Sequence, residues 1–171
     1  MSYQLTPDKY LTTSEIHQLR NSLCTQPDRI QLYFLVLLET GARATEGLNI
    51  ESTDLIHEFK SVLIRGLKGS KDREIPLSPE TFDRLARLAI AQDGVLFPWK
   101  LRNSDRLWHL VRPAKKKLHA LRHTFAVQLY QKTRDIMIVQ FALGHKNIAN
   151  TMIYLEIDQT ESLRRLIGVS A

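Results

Sequence analysis

The 171-residue chain carries 24 Lys and Arg against 18 Asp and Glu, a formal charge of +6, and its isoelectric point is about 9.6. With 43% apolar and 25% charged residues, it is excluded from the disordered, collagen-like and coiled-coil classes, and its length suits one domain with its own core. A single cysteine, Cys24, excludes an internal disulfide and a cysteine-rich zinc site and fits a reducing, cytoplasmic setting; Met1 leads into polar residues without a signal-peptide pattern, and the longest apolar run, Leu32 to Leu38, is far short of the roughly 20 residues that cross a bilayer.

Thr12 to Glu15 reads T-x-x-E, a capping box, and Ile16, Leu19 and Leu23 follow at helical spacing, which predicts a first helix. Pro27 and Asp28 open a second, whose Ile30, Leu32, Phe34, Leu35, Leu37 and Leu38 are apolar on nearly every side, so it belongs in the centre of the core. Gly41 is placed to end it. A short helix from Ala44 to Leu48 precedes two extended runs, Val62 to Ile64 and Glu74 to Leu77, joined through Gly66 to Lys71 as a hairpin with a basic, glycine-containing tip. Ser78 caps the next helix, with Pro79 at its first position and Phe82, Leu85, Leu88 and Ala89 as its apolar stripe; Asp93-Gly94 ends it. Further helices are predicted from about Ser104 to Val111, from His119 to Gln131, and from an Asp135 cap to Leu143. Asn147 to Leu155 is ambiguous, and a last amphipathic helix covers about Gln159 to Ile167. The fold class is therefore mainly α with a small antiparallel β-sheet, an α+β arrangement in a single domain.

The positive charge is concentrated. Lys100, Arg102, Arg106, Arg112, Lys115, Lys116, Lys117 and Arg122 face one acid, Asp105, so this stretch carries +7 and the rest of the chain −1. Such a block on a balanced protein is the electrostatic footprint of a nucleic-acid binder, or else a solvated lysine-rich loop.

Four further features bear on chemistry. In Thr40-Gly41-Ala42-Arg43-Ala44-Thr45-Glu46-Gly47-Leu48 a glycine turn after a buried helix sets where Arg43 emerges, and Glu46 is spaced to brace its guanidinium; alone, this is also the pattern of a surface ion pair. The hairpin tip Lys68-Gly69-Ser70-Lys71-Asp72-Arg73 offers ammonium groups that reach a phosphate or protonate a leaving oxygen, or are simply solvated. His119, Arg122 and His123 stand at i, i+3 and i+4 on one helical face, joining a bidentate anion binder to imidazoles that transfer protons near neutral pH. Histidines at i and i+4 also suit zinc, but Ala120 stands where the H-E-x-x-H motif needs glutamate, and His123 leads into Phe125, Ala126 and Val127 as a core histidine would. Finally, Leu143-Gly144-His145 is followed nine residues on by Tyr154. A tyrosine attacks at neutral pH only among cations, and spacing alone does not separate Tyr154 from Tyr3, Tyr10, Tyr33 and Tyr130.

Taken together these residues resemble the tyrosine recombinases, the family of phage integrases and Xer-type resolvases, whose pattern is T-G-x-R-x-x-E-x-L, a hairpin lysine, H-x-L-R-H-T-F-A, L-G-H and a tyrosine nine residues later. The likeness runs from about Leu11 to Ile167 and implies the catalytic-domain fold of that family over residues 1–171, without its N-terminal core-binding domain. It implies that Arg43 and Arg122 clamp the scissile phosphate, that Lys68, with Lys71 as the alternative, protonates the leaving oxygen, that His119 assists proton transfer at the tyrosine, that His145 bonds a phosphate oxygen, and that Tyr154 is the nucleophile. Glu46 and His123 are supporting residues in this reading, and Lys71, Arg73, Arg112, Lys115, Lys116 and Lys117 bind DNA. Asn150 departs from a frequent threonine and Glu156 from a frequent histidine.

The implied activity is metal-free and cofactor-free site-specific recombination of double-stranded DNA through a 3′-phosphotyrosyl intermediate, by a cytoplasmic, nucleoid-associated homo-oligomer, a tetramer on DNA, with accessory DNA-binding proteins as possible partners and no membrane. Leu163, Leu166 and Ile167 form an apolar stripe suited equally to docking into a neighbouring subunit, as the resemblance implies, and to packing on the chain's own core. The competing classes are a type IB topoisomerase, a DNA-binding regulator of the same fold and a zinc hydrolase.

Overall fold

A computed structural model of the chain describes residues 5–67 and 69–155. Helix α1 (Thr13–Leu23) starts on the expected capping box: Thr12 Oγ1 accepts from the Glu15 amide at 3.3 Å and Glu15 Oε2 from the Thr12 amide at 2.7 Å. Helix α2 (Asp28–Thr40) buries every residue from Leu32 to Leu38. At roughly 1.5–3 kcal/mol for each large apolar side chain removed from water, this segment alone dictates a central position. Gly41 ends it in the left-handed region, φ 63°, and the chain turns into α3 (Ala44–Leu48).

Three antiparallel strands follow in the order β1 (Leu55–Ile56), β2 (Ser61–Ile64), β3 (Arg73–Pro76), with Val62 opposite Ile75 and Ile64 opposite Arg73. The two-residue β1 is too short to show an alternation and has no sequence signal of its own. Ser78 caps α4 (Pro79–Ala91) as expected, its hydroxyl accepting from the Thr81 amide. Helix α5 (Leu101–Val111) starts three residues before the predicted boundary. Ser104 is buried within its first turn, accepting a hydrogen bond from Trp99 Nε1 at 3.1 Å, so its polar side chain serves the core and not a cap. Helices α6 (Ala120–Thr133) and α7 (Ile136–Leu143) complete the named elements, Asp135 capping α7, and residues 149–155 are helical, which resolves the ambiguous segment. The expected terminal helix with Leu163, Leu166 and Ile167, as well as Glu156, Tyr3 and Lys68, lies outside the described residues.

Two apolar clusters share α6. The larger is built on α2 with an edge-on aromatic group, Tyr33 against Phe34, Phe97 and Trp99 at centroid distances of 5.2 to 5.4 Å. The smaller joins Leu5, Ala126, Val127, Val139, Leu143 and Tyr154. Phe125 and Leu129 of α6 pack on both. The second cluster holds the 149–155 helix, and hence Tyr154, against the helix that carries Arg122. Among the described residues no helix is long and apolar enough to cross a membrane.

Candidate active site

One buried carboxylate organises the site. Glu46, at the third position of α3, accepts from the Arg43 amide at 2.8 Å and pairs with the Arg43 guanidinium at 3.0 Å, with Arg73 at 2.8 Å and, more distantly, with Arg122 at 3.8 Å. Its side chain has no solvent exposure. Burial alone would raise the Glu46 pKa, but the Arg73 hydrogen bond, the Arg43 amide and the charges of Arg73 and Arg122 outweigh it and hold it at about 2. Three guanidiniums can therefore sit close together, those of Arg73 and Arg122 buried and that of Arg43 at the edge of solvent.

Arg122 is anchored by the two turns that flank the core. Nη1 donates to the Gly41 carbonyl at 2.7 Å and Nη2 to the Leu143 carbonyl at 2.8 Å. Both carbonyls lie beside left-handed glycines. A Cβ on Gly41 would stand 2.3 Å from Phe125 Cδ1, and one on Gly144 (φ 67°) 2.8 Å from the Lys71 carbonyl, so neither turn admits a side chain. Burial first, then the Arg43 charge, push the Arg122 pKa down to about 10, so the guanidinium stays charged at neutral pH.

His145 follows the second glycine. Its Nε2 lies 3.0 Å from Arg122 Nη2 and its Nδ1 3.0 Å from Thr151 Oγ1. A guanidinium only donates, so Nε2 is the acceptor and Nδ1 carries the proton to Thr151. Burial and the charges of Arg122, Arg43 and Arg73 lower the His145 pKa to about 4. The threonine hydroxyl expected at position 150 is thus supplied by its neighbour Thr151, one turn before Tyr154.

Tyr154 is 2% exposed, and its hydroxyl lies 3.0 Å from His123 Nδ1. His123 is buried; desolvation, then the charges of His119, Arg122, His145 and Lys9, lower its pKa to about 3. His119 packs edge-on against His123 at a centroid distance of 4.7 Å and presents its other side to solvent. Burial against its neighbours and the Arg122 and Arg43 charges also lower the His119 pKa, an effect that solvent access tempers. Arg43, His119, Arg122, His123, His145 and Tyr154 line one open cleft of about 660 Å³. Five of the six residues expected to act on DNA chemistry are thereby brought together in a single chain; the sixth, Lys68, lies outside the described residues.

The hairpin that carries Lys68 is locked to this site by Ser70, Lys71 and Arg73. Arg43 Nη1 donates to Ser70 Oγ at 2.8 Å, and Ser70 Oγ and the Lys71 amide both donate to the Gly144 carbonyl, at 3.2 and 3.0 Å. Arg73 corrects an expectation. Read as a DNA contact, it is 2% exposed and bonds Glu46, the Ala142 carbonyl at 2.8 Å and the Lys71 carbonyl at 3.3 Å. In the alternation of β3 it faces inward, where only a buried carboxylate makes an arginine tolerable. Lys116 is a second correction: its ammonium is spent on Glu15 and the Tyr10 carbonyl, both at 2.7 Å, and ties the basic connector to α1. Lys71 and Lys115 are exposed, and Arg112 and Lys117 line a second cleft of about 450 Å³ that shares His119 and Arg122 with the first. Ser70 and Thr151 are contacts that the sequence reading missed, because each partner is set by tertiary approach and neither position has a local signal. Among the described residues no group of three or more His, Cys, Asp or Glu could hold a metal ion.

The site's depressed histidines and Glu46 make its stability pH-dependent. Unfolded, the histidines take up protons near pH 6.5 and Glu46 near 4.5; folded, His145, His123 and Glu46 do so only near 4, 3 and 2. The unfolded chain binds more protons across that window, so stability is fully present above about pH 6.5 and is lost as pH falls through these folded values. Calorimetric scans should show a Tm that is flat from about pH 8 to 7 and declines steadily from about 6.5 to 4. A Tm that stayed constant to about pH 4.5 would mean the histidines are already charged in the folded site.

A family model for the phage integrase family matches residues 9–161. The chain belongs to this family. It is 34% identical over 174 residues to the tyrosine recombinase XerA of Pyrococcus horikoshii, covering 93% of this chain and 60% of that protein, and 31% identical over 167 residues to XerH of Campylobacter jejuni, covering 88% and 46%. The chain thus spans about half to 60% of the length of these integrase relatives. Among solved structures, the XerH site-specific recombinase bound to its difH substrate superposes with a TM-score of 0.71 at 26% identity over 93% of this chain and 53% of that one. The catalytic domain of bacteriophage HP1 integrase superposes with a TM-score of 0.70 at 23% identity over 95% of this chain and 98% of that one. The fold, mainly helical with a three-stranded antiparallel sheet, is the catalytic-domain fold of the phage integrases.

Proposed function

We propose that the chain is the catalytic domain of a site-specific DNA recombinase that breaks and rejoins strands through a covalent tyrosyl link. The observation that carries this reading is the convergence of Tyr154 with Arg43, Arg122 and His145 on one cleft of one chain, which also favours attack by the tyrosine of the same protomer. Tyr154 Oη attacks a backbone phosphorus, a 3′-phosphotyrosyl bond forms and a 5′-hydroxyl departs; the 5′-hydroxyl of a partner strand then reverses the step. Bond energy is kept in the intermediate, so no nucleotide cofactor is required and the chemistry is metal-free.

Arg43, its side chain 35% exposed, and the anchored Arg122 offer donors to the charge that builds on the phosphate oxygens. Arriving phosphate takes over the Arg122 contact now held by His145 Nε2, and its negative charge raises the proton affinity of that imidazole, turning Nε2 into a donor. His119 adds a hydrogen bond from the rim. Lys68, or Lys71 on the same tip, protonates the leaving 5′ oxygen. Lys71, Arg112, Lys115 and Lys117 steady the duplex through its phosphates, contacts that give salt-dependent affinity and little sequence information. Strand exchange brings together two duplexes and four protomers.

The test is to incubate the chain with a duplex nicked near the scissile phosphate, so that the freed fragment diffuses away. A denaturant-resistant protein–DNA adduct, with the modified peptide containing Tyr154 by mass spectrometry, is the expected result. A trap on another tyrosine, or no trap under conditions where the duplex is bound, overturns the proposal.

A further inference from the structure

His123 has no part in that scheme, yet its side chain is bonded to the nucleophile. Its Nδ1 lies 3.0 Å from Tyr154 Oη with the rings 5.9 Å apart, and the two are 7% and 2% exposed. It directly follows Arg122 on α6, so one helix carries both a phosphate clamp and the partner of the attacking oxygen. The smaller apolar cluster fixes the distance by packing Tyr154 with Ala126 and Val127 of that helix. His119, to which the family resemblance gives this role, packs edge-on against His123 and is open to solvent.

We infer that His123 is a further catalytic residue, the group that takes the phenolic proton of Tyr154 as its oxygen attacks and returns it when the strand is rejoined. This rests on the reading of Tyr154 as nucleophile. In the forward step the Oη–P bond forms, the phenolic proton passes to Nδ1, the P–O5′ bond breaks, and the leaving oxygen takes its proton from the hairpin lysine; rejoining reverses each transfer. Acceptance requires a neutral ring with Nδ1 unprotonated. The groups that face it, His119 and Arg122 from α6, His145 from the turn after α7 and Lys9 from the N-terminal turn, together with burial, keep it neutral. The negative scissile phosphate offsets those cations and raises the ring's proton affinity when the tyrosine is aligned.

Two measurements decide it. ¹⁵N NMR of the wild-type chain at neutral pH should find His123 as the Nε2–H tautomer; an Nδ1–H tautomer overturns the inference. His123→Gln offers an amide that can bond Tyr154 but takes no proton. It should bind DNA as the wild type does, cleave the nicked substrate about 10² to 10⁴-fold more slowly, and regain rate as pH rises toward the phenol's own ionisation. A Gln variant that keeps the wild-type rate and pH profile overturns the inference while leaving the nucleophile reading intact. Failure of the wild-type chain to trap DNA instead overturns the nucleophile reading and this inference with it.

Discussion

Tyr154→Phe should bind duplex DNA with wild-type affinity and form no covalent adduct with a nicked substrate. The substitution removes one oxygen and leaves the ring, which is what packs with Leu5, Ala126, Val127, Val139 and Leu143. The structural cost includes the hydrogen bond to buried His123, about 1–3 kcal/mol, less than the roughly 5–15 kcal/mol that holds a typical domain folded. The chemical cost is total, since no other described group of the cleft, whose members are Arg43, His119, Arg122, His123, His145, Ala149, Asn150, Met152, Ile153 and Tyr154, is an oxygen nucleophile that could replace it. Denaturing gels of the trapping reaction, paired with a mobility-shift titration, separate the two effects. An adduct formed by the phenylalanine variant would remove Tyr154 from the mechanism.

Arg122→Ala should lower strand cleavage by about 10³ to 10⁵, equivalent to roughly 4 to 7 kcal/mol of transition-state stabilisation. Here the structure predicts a second cost. Arg122 satisfies the carbonyls of Gly41 and Leu143 and bonds His145, so its loss leaves two buried acceptors without their donor, at about 1–3 kcal/mol each where water does not enter. Arg122→Lys separates the terms: the ammonium keeps the charge but lacks the fork that spans both turns. The lysine variant should recover more DNA binding than cleavage. Single-turnover cleavage with thermal melts of each variant gives both quantities, and an Arg122→Ala protein that folds and cleaves at the wild-type rate would show that α6 is misread.

Some of the site is a local matter and some is not. Arg43 was legible because Gly41 ends a buried helix and Glu46 lies three residues on, so guanidinium and carboxylate meet within one turn. Arg122 and His123 follow from helical spacing, and His145 from the glycine before it. Arg73 was misassigned for the opposite reason. Its sequence neighbours, Asp72 and Glu74, are exposed, and only the docking of β3 against α3 and the α7 turn turns its charge inward. Lys116 looks like one of three equivalent lysines until Glu15, far away in sequence, meets it.

By itself the sequence determined what short-range physics controls: the capped helices, the central burial of α2 and the two glycine turns. Those features depend on periodicity and backbone freedom within a few residues. The tertiary structure decided how the charges are shared. A single carboxylate, Glu46, is shared by arginines drawn from three separate segments, and Ser70 and Thr151 lock the hairpin and His145 into place. It also decided that His123 bonds the tyrosine, because the desolvation and hydrogen bonding of a buried group depend on whatever surrounds it in space, and those surroundings come from segments up to about a hundred residues apart in the chain.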